Sequence, residues 1–360
     1  MQKRSFSTAI LLAFVFLFSC GEYKTRVSNK VHKDGSVTRT VVMTKDDNKA
    51  FSADRYLVPV DSTWDITYSI ELGDDADTSL WILTAEKYFE NVDQINAAYE
   101  ADSGQNKGMT RYAEFIKKYR WFYTEYRYAE TVESILDVEC APDSFLNPEE
   151  MKHFYLPVSI SDNRKNGSDS LKYRRLEKEI ESKTEAWFWT GVVRQWILNL
   201  HALASDNKNY TLTLDELQSK EDLFLYNLEK YGENDGFLPD SIVKYVMGKE
   251  FLDDFYMEVD SATKMLEAKL EEFLEATHYE LEICMPGKLI ESNGFIATNE
   301  ELADHKNLLW SVSGEYFISQ DYVMWAESRE NNIYAWIISA LFVLFVAIGL
   351  LLRKRRSQDL

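Results

Sequence analysis

The pattern of apolar positions divides this chain into two uninterrupted apolar runs and a long middle in which apolar and polar residues take turns. The first run, Ala9 to Phe18, follows Lys3 and Arg4 and stops at Ser19-Cys20. It is too short to cross a bilayer, and a basic start followed by a short apolar core is the pattern of an export signal over residues 1–19. The second run, Ile333 to Leu352, holds 20 residues without a charge. At about 1.5 Å per residue it covers about 30 Å, the thickness of the hydrocarbon core. Arg353-Lys354-Arg355-Arg356 follows at once, and basic residues mark the cytoplasmic side. The pattern therefore predicts residues 20–332 outside the plasma (inner) membrane, a span over 333–352, and a basic tail over 353–360 inside. Tyr334 and Trp336 fall at the outer end of the span, where amphipathic rings prefer the interface.

The middle reads as strands, then helices, then strands. Asp34-Gly35 between two Val/Thr-rich runs predicts a hairpin with a two-residue turn, pairing Val31 with Thr38 and Val27 with Val42. Trp64 to Ile70 alternates and reads as a strand, and Leu80 to Phe89 as another. Val92 to Tyr99 and Tyr112 to Tyr119 read as helices, whereas the aromatic and Thr-rich Trp121 to Val132 reads as a strand. From Pro148 to Thr277 the spacing is helical: Phe251, Phe255, Val259, Ala262, Leu266, Leu270 and Phe273 step by three or four. Leu171 to Ala204 has room for one long helix or two. At His278 the period becomes two, with Tyr279, Leu281, Ile283 and Met285 on one face, and the strand ends at Pro286-Gly287. Leu308 to Val312 and Asp321 to Ser328 supply two more strands. The expected class is α+β, an antiparallel sheet built from N- and C-terminal strands with a central helical insertion (about 148–277), plus one C-terminal transmembrane helix.

Charge adds a partner argument. The net charge is -20; residues 1–19 carry +2 and residues 353–360 carry +3, so residues 20–332 carry -25. Such a domain does not suit nucleic acid, which needs arrayed Lys and Arg, and an anionic headgroup layer repels it on average. The 9 Trp, 21 Tyr and 20 Phe give it ample material for a core.

Leu17-Phe18-Ser19-Cys20 resembles the bacterial lipobox, Leu-x-small-Cys, which implies cleavage before Cys20 and a diacylglyceryl group on its thiol. Both anchors, Cys20 and residues 333–352, then meet membrane lipid on one surface. The order Met285-Pro286-Gly287-Lys288, Ser292-Asn293-Gly294, Leu309-Trp310 and Ala326-Glu327-Ser328, with the lipobox, the Asp34-Gly35 hairpin and the single terminal span, resembles the LppM-type bacterial envelope lipoproteins. The resemblance covers 20–60 and 278–352. It implies a β-rich, periplasmic envelope domain with a lipid-handling role and brings no catalytic residues. The helical block departs from that pattern.

Candidate chemistry is sparse. With Cys20 taken by lipid, Cys140 and Cys284 either pair as a disulfide, which an exported compartment permits, or remain free thiols. Trp187, Trp189 and Trp196 on one helix either pack in a core or line a binding groove for lipid or glycan. Asp75-Ala76-Asp77-Thr78-Ser79 with Glu86 has part of a calcium-loop spacing, but Leu80 stands where that loop needs Gly. The histidines (His32, His153, His201, His278, His305) are scattered without metal-ligand spacing. The sequence implies no metal site and no cofactor. Three functional classes follow: a non-catalytic module binding a lipid, peptide or protein partner, an envelope hydrolase using Asp/Glu, and a receptor, the last disfavoured by a tail of only eight residues. If the lipobox reading holds, Cys20→Ala abolishes metabolic labelling of the protein by palmitate; labelling that persists in the variant rejects it.

Overall fold

The computed structural model describes residues 23–72, 79–157, 159–160, 170–205, 213–231, 238, 240–275, 278–296 and 307–356. Cys20, the segment expected to be an export signal and residues 74–78 of the acidic turn lie outside the described residues. The chain runs β1 (Lys24–Val31), β2 (Val37–Lys45), β3 (Asp65–Leu72), β4 (Ser79–Phe89), α1 (Val92–Glu100), β5 (Arg111–Tyr119) and β6 (Tyr123–Val132). A helical block follows: α2 (Pro148–Phe154), α3 (Ser170–Ala204), α4 (Leu214–Gln218), α5 (Glu221–Tyr231), α6 (Asp240–Met247), α7 (Lys249–Asp254) and α8 (Tyr256–Glu275). Then come β7 (Tyr279–Cys284), β8 (Lys288–Ser292), β9 (Phe295–Ile296), β10 (Leu308–Val312), β11 (Tyr322–Asn331) and the apolar α9 (Ile333–Arg356).

The class is α+β, as the patterning implies, but the strands divide into two sheets rather than one. A seven-stranded sheet has the order β3-β4-β2-β1-β7-β10-β9, and a four-stranded sheet the order β5-β6-β11-β8. The N-terminal hairpin does share a sheet with C-terminal strands, since Val27 pairs with Leu281. That β1–β7 pair is parallel, the other pairs are antiparallel, and β11 sits in the second sheet. The chain changes sheets at Asn293, whose Oδ1 accepts from Trp310 Nε1 and Trp325 N, both at 3.0 Å.

Two local expectations are corrected. In the first hairpin Val31 pairs with Val37 and Val27 with Val41, one residue away from the two-residue register. Val27, Val31, Val37, Val41 and Met43 are all buried and all odd-numbered. Only an odd-length loop puts them on one face, because a one-residue slip turns every side chain over. A two-residue type I′ turn would also need positive φ at Asp34, whereas Gly35 alone in this loop has it, at 96°. The loop closes instead with His32 N–H donating to Ser36 O at 2.9 Å. The second correction is Tyr112 to Tyr119, which is strand β5 rather than a helix. Its nine residues pair with β6 from Arg111↔Val132 to Tyr119↔Thr124, a long-range gain that overrides the short local pattern. Its edge is covered by α1: Asn96 accepts from Ala113 N at 2.6 Å and donates to Ala113 O at 3.1 Å. Residues 170–204 form one helix of 35 residues.

One core lies between the two sheets and a second inside the helical block; Ile135 and Phe154 touch both. The inter-sheet core contains a buried ionic cluster. Arg39 of β2 donates to Glu130 of β6 at 2.5 Å, to Asn29 Oδ1 at 2.8 Å and to Tyr99 OH at 2.8 Å. Glu130 also accepts from Asn29, from Tyr99 OH at 2.6 Å and from Tyr128 OH at 2.7 Å. Burial opposes the charge on Arg39, yet Glu130, Tyr99 and Tyr128 together hold its pKa above the ordinary arginine value. Burial pushes the Tyr99 and Tyr128 hydroxyls well above theirs, so both stay protonated as donors.

The strands of the two sheets share a direction. The β1–β2 loop meets the end of β11 through Lys33 and Glu330 at 2.5 Å. At the other end Tyr279, which pairs with Thr25, is reached by Arg111, which is level with Tyr322 through their common partner Val132. The start of β1 and the start of α9 therefore lie at opposite poles.

Removing one partner from a buried ion pair leaves the other charge unpaired, at a cost of about 3–5 kcal/mol. Arg39→Met is expected to lose about that much in urea unfolding, and Arg39→Met with Glu130→Leu less than the single variant. Equal losses in both would show that the charge pair is not what fixes the interior.

Candidate functional site

The most distinctive constellation is the place where the apolar helix leaves the sheet. β11 remains paired with β6 as far as Asn331↔Tyr123, and α9 begins two residues later with no linker. Asn332 makes the joint. Its N–H donates to Phe122 O at 2.9 Å, and its Nδ2 to Arg120 O at 2.7 Å and Trp121 O at 3.3 Å. Its Oδ1 accepts from Thr124 Oγ1 at 3.0 Å, and its backbone carbonyl accepts from Ala335 N at 2.9 Å. The β5–β6 turn is thus bonded to the first turn of α9 by one side chain and its backbone.

The turn then lies along the helix. The Phe122 and Trp336 rings are 4.4 Å apart, and Trp121 Nε1 donates to Ser339 Oγ at 2.9 Å. Trp121 and Trp336 remain about half exposed. Arg329 stacks on Tyr123 at 4.1 Å and donates to Glu125 at 3.0 Å, which stiffens the last turn of the sheet. Ile333–Leu351 is long and apolar enough to cross a membrane, and almost none of it is buried against the rest of the protein.

The residues singled out from the sequence go elsewhere. Trp187 and Trp196 are buried in the helical core and do not line a groove. Trp187 donates to Cys140 O at 2.6 Å and Trp196 to Thr263 Oγ1 at 3.1 Å, so both polar edges are used in holding α3 against its neighbours. Trp189 is partly buried against the same core. An amphipathic ring stabilises most when its body is dry and its N–H bonded, the condition that Trp187 and Trp196 meet. Cys140 and Cys284 are free thiols, one in the helical core and one on β7 beside Lys30. Burial raises the pKa of both, which disfavours thiolate chemistry.

Other constellations were not legible in the sequence. Ser311 Oγ lies 3.1 Å from His278 Nδ1, but Ser311 is fully buried and cannot meet a substrate. Crowding around the Gly314–Tyr316 turn lifts the Glu315 carboxyl to about 7, yet the residue is exposed and water screens that effect, so no catalytic role is assigned to it. A recess of about 280 Å³ beside the β1–β2 loop, lined by His32, Lys33, Asp34, Ser36 and Tyr88, is shallow and open. Ligand sites are usually deeper and mostly apolar.

No family model and no curated protein matches the chain. Among solved structures, the chain is similar to the folded domain of the Mycobacterium tuberculosis LppM protein, determined by NMR. That likeness covers 88% of this chain and 94% of the other at 8% identity, with a TM-score of 0.26. A score this low does not establish a common topology and carries no functional argument. The residues that carry the resemblance in sequence are structural here: Gly287 turns β7 into β8 at φ 75°, and Asn293 ties Trp310 to β11.

Burial lowers the pKa of His278 below the ordinary histidine range. The unfolded chain then binds this proton more readily than the folded one, so stability falls as pH drops through 6.5. His278→Gln is expected to flatten that part of a stability-against-pH curve; an unchanged slope would place its origin elsewhere.

Proposed function

We propose that this protein is a membrane-anchored, extracytoplasmic envelope lipoprotein whose domain is a non-catalytic module for a lipid, peptide or protein partner. The observation that carries the reading is the joint at Asn332. An apolar helix of membrane-spanning length is bonded to a mixed α+β domain without a hinge, so the domain's orientation follows that of the helix. Such coupling suits a protein that presents a surface at a fixed angle to a membrane. The basic Arg353–Arg356 cluster supports a cytoplasmic C-terminus, and the signal-like start supports export.

The second anchor needs a geometric condition. Tyr23 is at the pole opposite the start of α9, and β1 alone is about 23 Å long at about 3.3 Å per residue. Only two residues, Gly21 and Glu22, separate Cys20 from Tyr23, a reach of about 10 Å over three steps. A lipidated Cys20 in the leaflet that α9 enters therefore requires the domain to lean over, rather than stand with its strands along the membrane normal.

A tag placed after Leu360 tests the topology. Protease added outside intact spheroplasts should digest the domain and leave the tag protected. Cleavage of the tag before lysis would reverse the orientation.

A further inference from the structure

The β5–β6 turn differs in composition from the rest of the chain. The protein has 60 carboxylate residues in 360, about one in six, yet Phe115 to Thr124 contains none. Those ten residues hold three cations, Lys117, Lys118 and Arg120, and five aromatics, Phe115, Tyr119, Trp121, Phe122 and Tyr123. The nearest carboxylates on neighbouring strands are already engaged. Glu125, across from Lys118, accepts from Arg329 at 3.0 Å and lies 3.8 Å from Arg120; Glu330 is held by Lys33 at 2.5 Å and Glu327 by Arg127 at 2.8 Å, while Lys117 donates to Lys33 O at 2.8 Å. The turn is therefore a basic and aromatic tip on a domain that is otherwise strongly acidic.

Its position gives the tip a partner. Ser339, the acceptor of Trp121, is six residues beyond Ile333, or about 9 Å along the helix axis. Phe122 and Trp121 thus lie beside the first two turns of the apolar helix, while Tyr119, 65% exposed, and Lys118 lie further up the hairpin. Aromatic rings at the depth of glycerol and carbonyl groups, with cations one layer above, match the layering of a phospholipid interface.

We propose that this tip is a docking surface for anionic phospholipid headgroups of the leaflet that α9 enters. Trp121 and Phe122 sit at the level of the glycerol and carbonyl groups, and Lys118, with Lys117 and Arg120 beside it, meets the phosphates. The average charge of the domain argues against such contact; the local arrangement reverses the sign where the protein meets the membrane. The tip adds a second contact beside the helix and resists rotation of the domain about it.

The inference rests on the proposed span, and the test separates the two. The full chain is reconstituted into vesicles of phosphatidylcholine with a minor share of phosphatidylglycerol. Photoreactive benzoylphenylalanine is placed at Tyr119, at Phe122 or at the mid-helix Phe345, and adducts are identified by mass spectrometry. Lipid adducts are expected at all three. At Tyr119, phosphatidylglycerol should exceed its share of the vesicle about fivefold, the effect of roughly one cation–headgroup contact. The enrichment should vanish in Lys117→Gln/Lys118→Gln/Arg120→Gln. Lipid adducts at Phe345 without any at Phe122, crosslinks to a second copy at Phe122, or phosphatidylglycerol captured only in proportion would each overturn the docking surface and leave the span intact. Absence of lipid adducts at Phe345 would overturn both.

Discussion

The buried pair of Arg39 and Glu130 is the interaction on which the arrangement of the two sheets depends. Two charges inside a core are tolerated when their geometry is close and further hydrogen bonds meet their remaining donors and acceptors. Here the partners come from separate elements: Asn29 from β1, Arg39 from β2, Tyr99 from α1, Tyr128 and Glu130 from β6. Asn29 and Arg39 are cross-strand neighbours, and Tyr128 and Glu130 are two apart on one face. A shift of either sheet by one residue would break several of these bonds at once. Apolar contacts alone are far less selective, because Val and Leu pack in many registers. A second buried ion pair, Arg111 with Asp102, extends the cluster toward the far pole, and the Arg39 and Arg111 guanidinium groups lie 5.2 and 4.6 Å from the centre of the Tyr99 ring.

That fixed register is carried to the end from which α9 leaves the sheet. β6, which bears Glu130, is also the strand on which β11 pairs for ten residues. The end of β11 is therefore placed relative to both sheets, and Asn332 transfers that placement to α9. Three carbonyls of the exposed turn, those of Arg120, Trp121 and Phe122, accept from one asparagine. The joint is thus a hydrogen-bonded unit rather than a linker, and motion of the helix relative to the sheet requires breaking it.

The helical block plays a different part. Its core closes on itself around Trp187, Trp196 and Phe224, and it meets the sheets through Ile135, Phe154 and the aromatic group of Tyr155, Tyr316 and Tyr322. Nothing in it reaches the α9 joint among the contacts described. It is an insertion between β6 and β7 that leaves the pairing of β1 with β7 undisturbed.

The sequence by itself determined what depends on neighbours along the chain. The strand alternation of Tyr279 to Met285, the helical stepping from Phe251 to Leu270, the apolar run from Ile333 and the α+β class were all legible, because each is a period or a run. Residue type alone misled where two local readings were close: Tyr112 to Tyr119 took strand form from its pairing with β6. The tertiary structure decided everything that joins distant residues. It set the odd register of the first hairpin by requiring one buried face for Val31 and Val37, placed Trp187 in a core, split the strands into two sheets, and brought Trp121 to Ser339 across 218 positions. Asn332 had no signal in the sequence at all. Its role is made by three carbonyls of the β5–β6 turn and a hydroxyl of β6, and contacts of that kind have no period to read.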